Sequence, residues 1–128
     1  MNSLIFHTKF PNLTYPIIID DSETIHNTLD KLPYNNYIMI FDENTRLYTK
    51  NQLNSCKIKV PTGELAKSIK VAADIYNKLI VNNAMRRSTL LIGVGGGAIC
   101  DLVGFVAMTY MRGISYALYP TTLVAMVD

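Results

Sequence analysis

The fold is decided by residues 91–105, which read LIGVGGGAICDLVGF. An apolar run typical of a buried strand leads into four glycines within the five positions 93–97, and a second apolar segment follows with one carboxylate, Asp101. Glycines at this density let another group approach the backbone closely. The stretch therefore predicts a strand, a tight glycine turn and a helix.

The spacing of the glycines indicates what the turn could receive. Residues 93–98 fit the pattern G-x-G-x-x-A between a strand and a helix, where backbone N–H groups receive a pyrophosphate. The acidic residue expected about 20 positions later is missing, so a ribose contact would come from Glu64 or Asp42. A P-loop is excluded, because no Lys-Ser/Thr follows the glycines. A turn that only packs a strand tightly against a helix is the alternative.

Segments with strand-like and helix-like patterns alternate along the chain. The predicted strands are a leading hairpin (4–7 and 15–19) and residues 37–41, 56–60, 89–94 and 115–119, and the predicted helices are 22–32, 45–53, 64–81 and 98–111. This alternation predicts an α/β fold, a Rossmann-like parallel sheet with helices on both faces. Ligands of such sheets bind beyond the carboxyl ends of the strands, at the loops 42–45, 61–64, 95–98 and 120–122.

Two of the helices carry expectations about burial. The helix over 64–81 shows an apolar stripe at helical spacing, formed by Leu65, Ile69, Ala72, Ala73, Tyr76, Leu79 and Ile80. The helix over 98–111 is apolar nearly all round, which predicts that it is buried together with Asp101. A buried carboxylate needs a partner, which favours a functional role for Asp101 over a purely structural one. From their positions alone, Lys67 is predicted to be a solvated charge on a helix, and Arg112 is predicted to be a cation at a helix C-terminus.

Composition excludes several classes of function. A net charge of +2 over 128 residues gives no basis for binding nucleic acid or an anionic membrane. The apolar runs 102–111 and 113–127 are shorter than the roughly 20 residues of a bilayer span. Cys56 and Cys100 have no framework spacing, so we expect reduced thiols in a cytoplasmic protein. His7 and His26 lack partners at metal-ligand spacing, so no metal site is predicted.

Three stretches in a fixed order carry a family resemblance. PTGELAKS (61–68), GVGGGAICDLVGFVAMTYMRG (93–113) and YPTTLVAMVD (119–128) together resemble the nucleotide-binding domain of the 3-dehydroquinate synthase family. The resemblance implies that the chain is an NAD-binding domain over 1–128, truncated before the family's metal-binding helical domain. A homodimer is implied as well, together with a divalent metal, zinc or cobalt, whose ligands are not in this chain.

The resemblance also implies roles for individual residues. Gly96, Gly97 and Ala98 would line the pyrophosphate, Asp101 would contact the nicotinamide side, and Glu64 would hold the adenosine ribose beside Lys67, in the turn that begins at Gly63. The adenosine half would meet Asp42 and Asn44, and the segment with Thr121, Thr122 and Val124 would close over the cofactor. The implied substrate contacts are Arg112, which would reach the phosphate of a substrate held by the neighbouring subunit, and Asp128, a substrate-binding and catalytic aspartate.

The implied reaction converts the sugar phosphate 3-deoxy-D-arabino-heptulosonate 7-phosphate to 3-dehydroquinate and phosphate, a step of the shikimate pathway towards aromatic amino acids. The resemblance implies that NAD oxidises the substrate at one hydroxyl-bearing carbon and returns the hydride after phosphate has left, so this phosphate-eliminating lyase does not consume its cofactor. The isolated chain is expected to be inactive. Cys100 departs from the family, which usually has glycine there, and Ala98 replaces a common branched residue. A sister sugar-phosphate cyclase, a polyol dehydrogenase and a freestanding nucleotide-binding module remain alternatives.

Overall fold

The structure is a computed structural model that describes residues 2–7, 14–19, 32–49 and 55–127. The chain forms two compact units, Met1–Leu32 and Pro33–Asp128. In the first unit, strands β1 (Asn2–His7) and β2 (Thr14–Ile19) pair antiparallel, which confirms the predicted hairpin. The predicted helix over 22–32 lies outside the described residues except at its last position.

The second unit is built on a four-stranded parallel sheet. Its strands are β3 (Asn36–Phe41), β4 (Ser55–Lys59), β5 (Thr89–Gly95) and β6 (Ser115–Pro120), in the spatial order β4-β3-β5-β6. All seven residues of β5 are buried, as the continuous apolar run predicted for a central strand. The register sets Leu91 of β5 beside Ile38 of β3 and Tyr116 of β6. The predicted α/β, Rossmann-like parallel sheet is confirmed.

Helical segments connect the strands. The α-helices are α1 (Ile69–Val81), α2 (Gly97–Thr109) and α3 (Leu123–Val127), and short 3₁₀ segments cover Glu43–Thr49, Gly63–Ala66 and Tyr110–Arg112. The predicted helix over 45–53 is therefore a 3₁₀ segment as far as it is described. No helix in the described part of the chain is long and apolar enough to cross a membrane.

The core has two layers, one on each side of the sheet. On one side, strand residues such as Ile38, Ile58 and Leu91 pack in a single cluster with α1 and α2. On the other side, the alternate strand positions, including Ile92 and Val94, are also buried, and the 3₁₀ segment Glu43–Thr49 contacts β3 and β5. Because side chains alternate along a strand, both faces of β5 need cover.

The prediction for residues 64–81 was wrong in two respects. The segment is not one helix, because the Ser68 hydroxyl accepts a hydrogen bond from the Val71 N–H and starts α1 anew. The buried face consists of Ala72, Ile75 and Leu79, whereas Leu65, Ile69 and Ile80 are exposed. Because of this break, Leu65 does not continue the helical repeat of α1. The apolar stripe predicted over the whole stretch therefore differs from the face that packs against the core.

The expected burial of α2 on all sides was also wrong. Ile99, Leu102, Val103 and Val106 face the core, but Phe105 is 47% and Met108 is 73% exposed. The helix packs on the sheet and α1 with one side, whereas Phe105 and Met108 on the other side are exposed. Asp101 lies on that outer side, one turn before Phe105.

Candidate cofactor site at the carboxyl edge of the sheet

Loops that follow the four parallel strands meet at one edge of the sheet. The Thr45 hydroxyl donates to the Val94 carbonyl at 2.8 Å, and the Thr121 N–H donates to the Gly95 carbonyl at 2.9 Å. The Val60 N–H donates to the Phe41 carbonyl at 2.9 Å. Each of these bonds joins the loop after one strand to the end of another. The predicted assembly of loops 42–45, 61–64, 95–98 and 120–122 is therefore present.

Two glycines of the turn are explained by packing. A Cβ added at Gly93 would lie 2.8 Å from Cγ2 of Val103, and one added at Gly95 would lie 2.5 Å from Cγ1 of Ile99. Real Cβ atoms do not come this close to other heavy atoms. These positions let α2 lie directly against β5, as the tight-packing interpretation requires.

Gly96 and Gly97 are not explained in the same way. A Cβ at Gly96 would meet the Thr122 side chain at 3.1 Å, and a Cβ at Gly97 would meet nothing within 4 Å. Neither glycine is among those with positive φ, which are Gly63 and Gly113. Neither the backbone angles at position 97 nor packing against the described residues therefore requires glycine there. The space that its missing Cβ leaves lies at the N-terminus of α2.

The N-terminus of α2 is free to bind an anion. Gly96 occupies the N-cap position, and it has no side chain to accept hydrogen bonds from the first turn. The first N–H groups of a helix lack partners within the helix and carry a partial positive charge. An uncapped helix start beside an open glycine position fits the phosphate groups of a dinucleotide.

The outer side of α2 brings three charged side chains together. Lys67 Nζ lies 2.7 Å from Oδ2 of Asp101 and 3.6 Å from Oε2 of Glu64. The Asp101 side chain is 59% exposed, so its predicted burial was wrong, since this side of α2 faces away from the core. The hydrogen bond to Asp101 raises the pKa of Lys67 above its ordinary value, as do the nearby charges of Asp101 and Glu64. Lys67 is thus partnered, unlike the solvated helix charge expected from its spacing.

The loop after β3 presents Asp42 and Asn44 differently. Asp42 is buried, and its Oδ1 accepts a hydrogen bond from the Thr45 N–H at 3.1 Å, while the Thr45 hydroxyl, also 3.1 Å away, donates to the Val94 carbonyl. Asn44 is exposed at the same turn. Glu43 between them contacts Lys59, which lowers the pKa of the Glu43 carboxyl through a hydrogen bond. The sequence analysis missed Thr45, although a threonine three residues after an aspartate is a usual partner in such turns.

The segment after β6 lies beside the glycine turn. Thr122 contacts the Gly96 position, and its hydroxyl accepts from the Ala125 N–H at 3.2 Å at the start of α3. Thr121 is half-buried and Val124 is exposed. Thr122 thus lies beside the place that a side chain at position 96 would occupy.

Cys100 turns its thiol towards the end of β5. Its Sγ lies 3.8 Å from the Gly95 carbonyl oxygen, which the Thr121 N–H also approaches. Burial raises the pKa of the Cys100 thiol, and the Asp101 charge raises it further. The thiol points away from the Gly97 opening, so this departure from the family leaves the opening clear.

One predicted residue, Arg112, is not brought to this edge. Arg112 follows α2, whose 13 residues span about 20 Å, so it lies at the opposite edge of the sheet. Met111 and Arg112 both have positive φ, at 47° and 64°, followed by Gly113 at 102°. Asp128 lies outside the described residues. Among the described residues, no group of three or more His, Cys, Asp or Glu side chains could hold a metal ion.

A parallel sheet with a glycine turn at its carboxyl edge defines the chain as a Rossmann-like α/β domain. Residues 57–128 match the family model for the 3-dehydroquinate synthase N-terminal region. The 3-dehydroquinate synthase of Pyrococcus furiosus is 41% identical over 119 residues, which are 88% of this chain and 35% of that protein. The enzyme of Thermobifida fusca is 51% identical over 71 residues, 56% of this chain and 19% of that protein. The chain therefore belongs to the 3-dehydroquinate synthase family.

Solved structures support the fold. 2-Deoxy-scyllo-inosose synthase, crystallised with carbaglucose-6-phosphate, NAD+ and Co2+, matches with a TM-score of 0.83 over 99% of this chain and 37% of its own, at 22% identity. The 2-epi-5-epi-valiolone synthase of Streptomyces hygroscopicus, with NAD+ and Zn2+ bound, matches with a TM-score of 0.65 over 79% of this chain and 30% of its own, at 26% identity. The chain thus spans about a third or less of the length of the curated relatives and solved structures described above.

Proposed function

We propose that this chain is the NAD-binding domain, over residues 1–128, of a 3-dehydroquinate synthase. The observation that carries the proposal is the open position at Gly97, at the start of α2, where no side chain caps the helix. An opening that neither packing nor backbone angles require is consistent with a bound group. Membership of the family, together with the NAD+ in two related structures, supports NAD as that group.

The pyrophosphate would bind at the N–H groups of Gly97 and Ala98, beside Gly96. Two negative charges at this point interact favourably with the helix dipole, and the absence of a Cβ at Gly97 lets the phosphate oxygens come within hydrogen-bonding distance. Thr121, Thr122 and Val124 would close over the cofactor from the end of β6.

The two ends of the cofactor would be held by different loops. Asp101 would bind the nicotinamide side, and Glu64, in the turn that starts at Gly63, would accept hydrogen bonds from the adenosine ribose. Asn44 is exposed and would be available to the adenosine half of the cofactor. The Asp42 carboxylate is instead bonded to Thr45, and it would act by shaping that turn. Lys67, between Glu64 and Asp101, would complete this side of the site.

The whole protein would convert 3-deoxy-D-arabino-heptulosonate 7-phosphate to 3-dehydroquinate and phosphate, as a carbon–oxygen lyase of the shikimate pathway in the cytoplasm. When bound, NAD would supply reversible hydride transfer at a substrate carbon that bears a hydroxyl group. Residues of this chain would fix the position of the cofactor, and Asp128 would bind substrate at the edge of the site. A zinc or cobalt ion would be held by residues outside this chain.

A homodimer would give Arg112 its role. Because α2 separates Arg112 from the glycine turn by about 20 Å, Arg112 cannot serve the same site as Gly97. An arginine that reaches the substrate phosphate of the neighbouring subunit is consistent with this placement. The exposed guanidinium and the left-handed backbone at Met111 and Arg112 present it away from α2.

The reaction itself is tested by phosphate release. The full-length protein with NAD and zinc is expected to release phosphate from the heptulosonate substrate, and the 128-residue chain alone is expected to release none. Release from a hexose phosphate instead would assign the protein to a sister cyclase. Turnover by the isolated chain above background would contradict the assignment of metal ligands to residues outside it.

Asp101 gives a sharper test of the cofactor site. Replacing it with asparagine should weaken NAD binding or turnover by at least about fivefold, which corresponds to about 1 kcal/mol, a lower bound for a lost hydrogen bond to a charged group. Isothermal titration with NAD and steady-state kinetics measure the two effects. Asp74→Asn is the matched control, because Asp74 is an exposed carboxylate of α1 that forms no ion pair with a described residue. Unchanged binding and kinetics would leave Asp101 with a structural role only.

A further inference from the structure

The Lys67 ammonium lies between carboxylates of two different segments. Glu64 belongs to the turn after β4, and Asp101 belongs to the first turns of α2. The Nζ–Oδ2 distance to Asp101 is 2.7 Å, shorter than the 3.6 Å to Glu64 Oε2. The stronger contact is therefore the one between the two segments.

The backbone around Lys67 is fixed on both sides. Its N–H donates to the Glu64 carbonyl at 3.0 Å, and Ser68, the next residue, caps α1. Ala66, the residue before it, is fully buried in the core. The Lys67 side chain therefore reaches Asp101 from a well-anchored backbone, which lowers the entropy lost in forming the pair.

Asp101 faces the same side of α2 as Gly97, because the two are four residues apart on the helix. A carboxylate at this point has the same sign of charge as a pyrophosphate bound at Gly97, and like charges repel. Lys67 offsets that charge. Without it, Asp101 would leave an uncompensated negative charge beside a dianionic ligand.

We propose that Lys67 is a positioning residue that acts on the cofactor site through Asp101, orienting its carboxylate and offsetting its charge. This inference rests on the proposed function. It differs from a direct contact between Lys67 and the cofactor phosphates, because in our proposal Lys67 matters only while Asp101 is charged.

A double-mutant cycle separates the two roles. NAD affinity is measured by isothermal titration, at low salt, for the full-length wild type, Lys67→Met, Asp101→Asn and the double variant. Each single change should weaken NAD binding about fivefold. The double variant should bind NAD no more weakly than Asp101→Asn alone. A double variant about 25-fold weaker than wild type, the product of two independent losses, would overturn the inference.

Matched controls test whether the effect belongs to this lysine. Lys70→Met removes an exposed lysine that makes no ion pair with a described residue, and it should leave NAD affinity unchanged. Lys67→Arg keeps the charge and should retain most of the affinity. A loss with Lys67→Arg as large as that with Lys67→Met would contradict the charge-based role.

The ion pair is also measurable without NAD. A pH titration of the Lys67 Nζ signal by NMR should show a lower pKa in Asp101→Asn than in wild type, because the carboxylate raises it. An unchanged pKa would overturn the inference even if NAD binds. If wild type failed to bind NAD, the proposed function would fail, while this titration would still show whether Asp101 and Lys67 are paired.

Discussion

Replacing Gly97 with alanine is expected to weaken NAD binding by at least about tenfold without destabilising the protein. Apart from its chain neighbours and the backbone of its own helix, a Cβ at this position meets no atom of the described residues within 4 Å, so the methyl group fits the free protein. It would fill the space in which we place the pyrophosphate, and so lengthen or break hydrogen bonds from the first N–H groups of α2. Loss of one charge-assisted hydrogen bond costs about 1.5–3 kcal/mol, which corresponds to roughly tenfold to more than a hundredfold in affinity.

The stability of this variant should equal or slightly exceed that of wild type. Alanine loses less backbone freedom than glycine on folding, and Gly97 has no positive φ that alanine would find costly. Urea denaturation of the full-length variant measures this directly. A variant that is as stable as wild type but binds NAD poorly would separate the binding role of Gly97 from any role in folding.

Gly104 supplies the control within the same helix. It is also open, with nothing within 4 Å of an added Cβ, but it lies almost two turns further along α2. Gly104→Ala should bind NAD as wild type does. If Gly97→Ala and Gly104→Ala bind NAD equally well, the pyrophosphate does not lie at Gly97.

The sheet and its loops followed directly from the sequence. Each parallel strand is a short apolar run, and such runs are diagnostic when helical segments separate them. The position of each loop at the carboxyl edge then follows from the parallel arrangement alone. For this reason the sequence alone predicts that one edge of the sheet carries the glycine turn, Glu64, Asp42 and Thr122.

Burial on the outer side of α2 could not be predicted in this way. Phe105 and Met108 are as apolar as the residues that face the core, and periodicity does not reveal which side of an apolar helix is covered. The same uncertainty produced the wrong prediction that Asp101 is buried. Its partner Lys67 is 34 positions away in the sequence, and only the packing of the 3₁₀ turn against α2 brings them together.

The different surroundings of the four glycines could not be predicted from the sequence either. All four fit one motif, and the sequence left phosphate binding and tight packing as alternatives. In the structure tight packing applies to Gly93 and Gly95, where an added Cβ would lie less than 3.0 Å from α2 side chains, whereas a Cβ added at Gly97 would meet no described neighbour within 4 Å, and phosphate binding at Gly97 is our proposal. This division separates a binding experiment at Gly97 from a stability experiment at Gly95.

Gly95→Ala is therefore expected to destabilise the protein by about 1–3 kcal/mol, the usual cost of forcing an extra methyl group into a packed core. The added Cβ would lie 2.5 Å from Cγ1 and 2.7 Å from Cβ of Ile99. The Cβ of Ile99 moves only with its backbone, so rotation of the isoleucine side chain cannot relieve both contacts. Strand β5 and helix α2 would have to separate.

The same movement would disturb the cofactor site. The Gly95 carbonyl accepts the Thr121 N–H at 2.9 Å, so shifting Gly95 displaces the segment that begins with Thr121. Gly95→Ala should therefore lower both stability and NAD affinity, whereas Gly97→Ala lowers affinity alone. Urea denaturation and NAD titration of the two full-length variants, side by side, measure this difference.

A second change at Ile99 tests the physical cause. Ile99→Gly removes all three side-chain atoms that the new Cβ would meet, Cβ, Cγ1 and Cγ2, at the cost of a cavity in the core and a glycine within α2. If the clash destabilises Gly95→Ala, the double variant should be less unstable than the sum of the two single losses, by about 1 kcal/mol or more. Gly104→Ala should be at least as stable as wild type, which controls for the change from glycine to alanine. Additive losses in the double variant would show that contact with Ile99 is not what requires glycine at position 95.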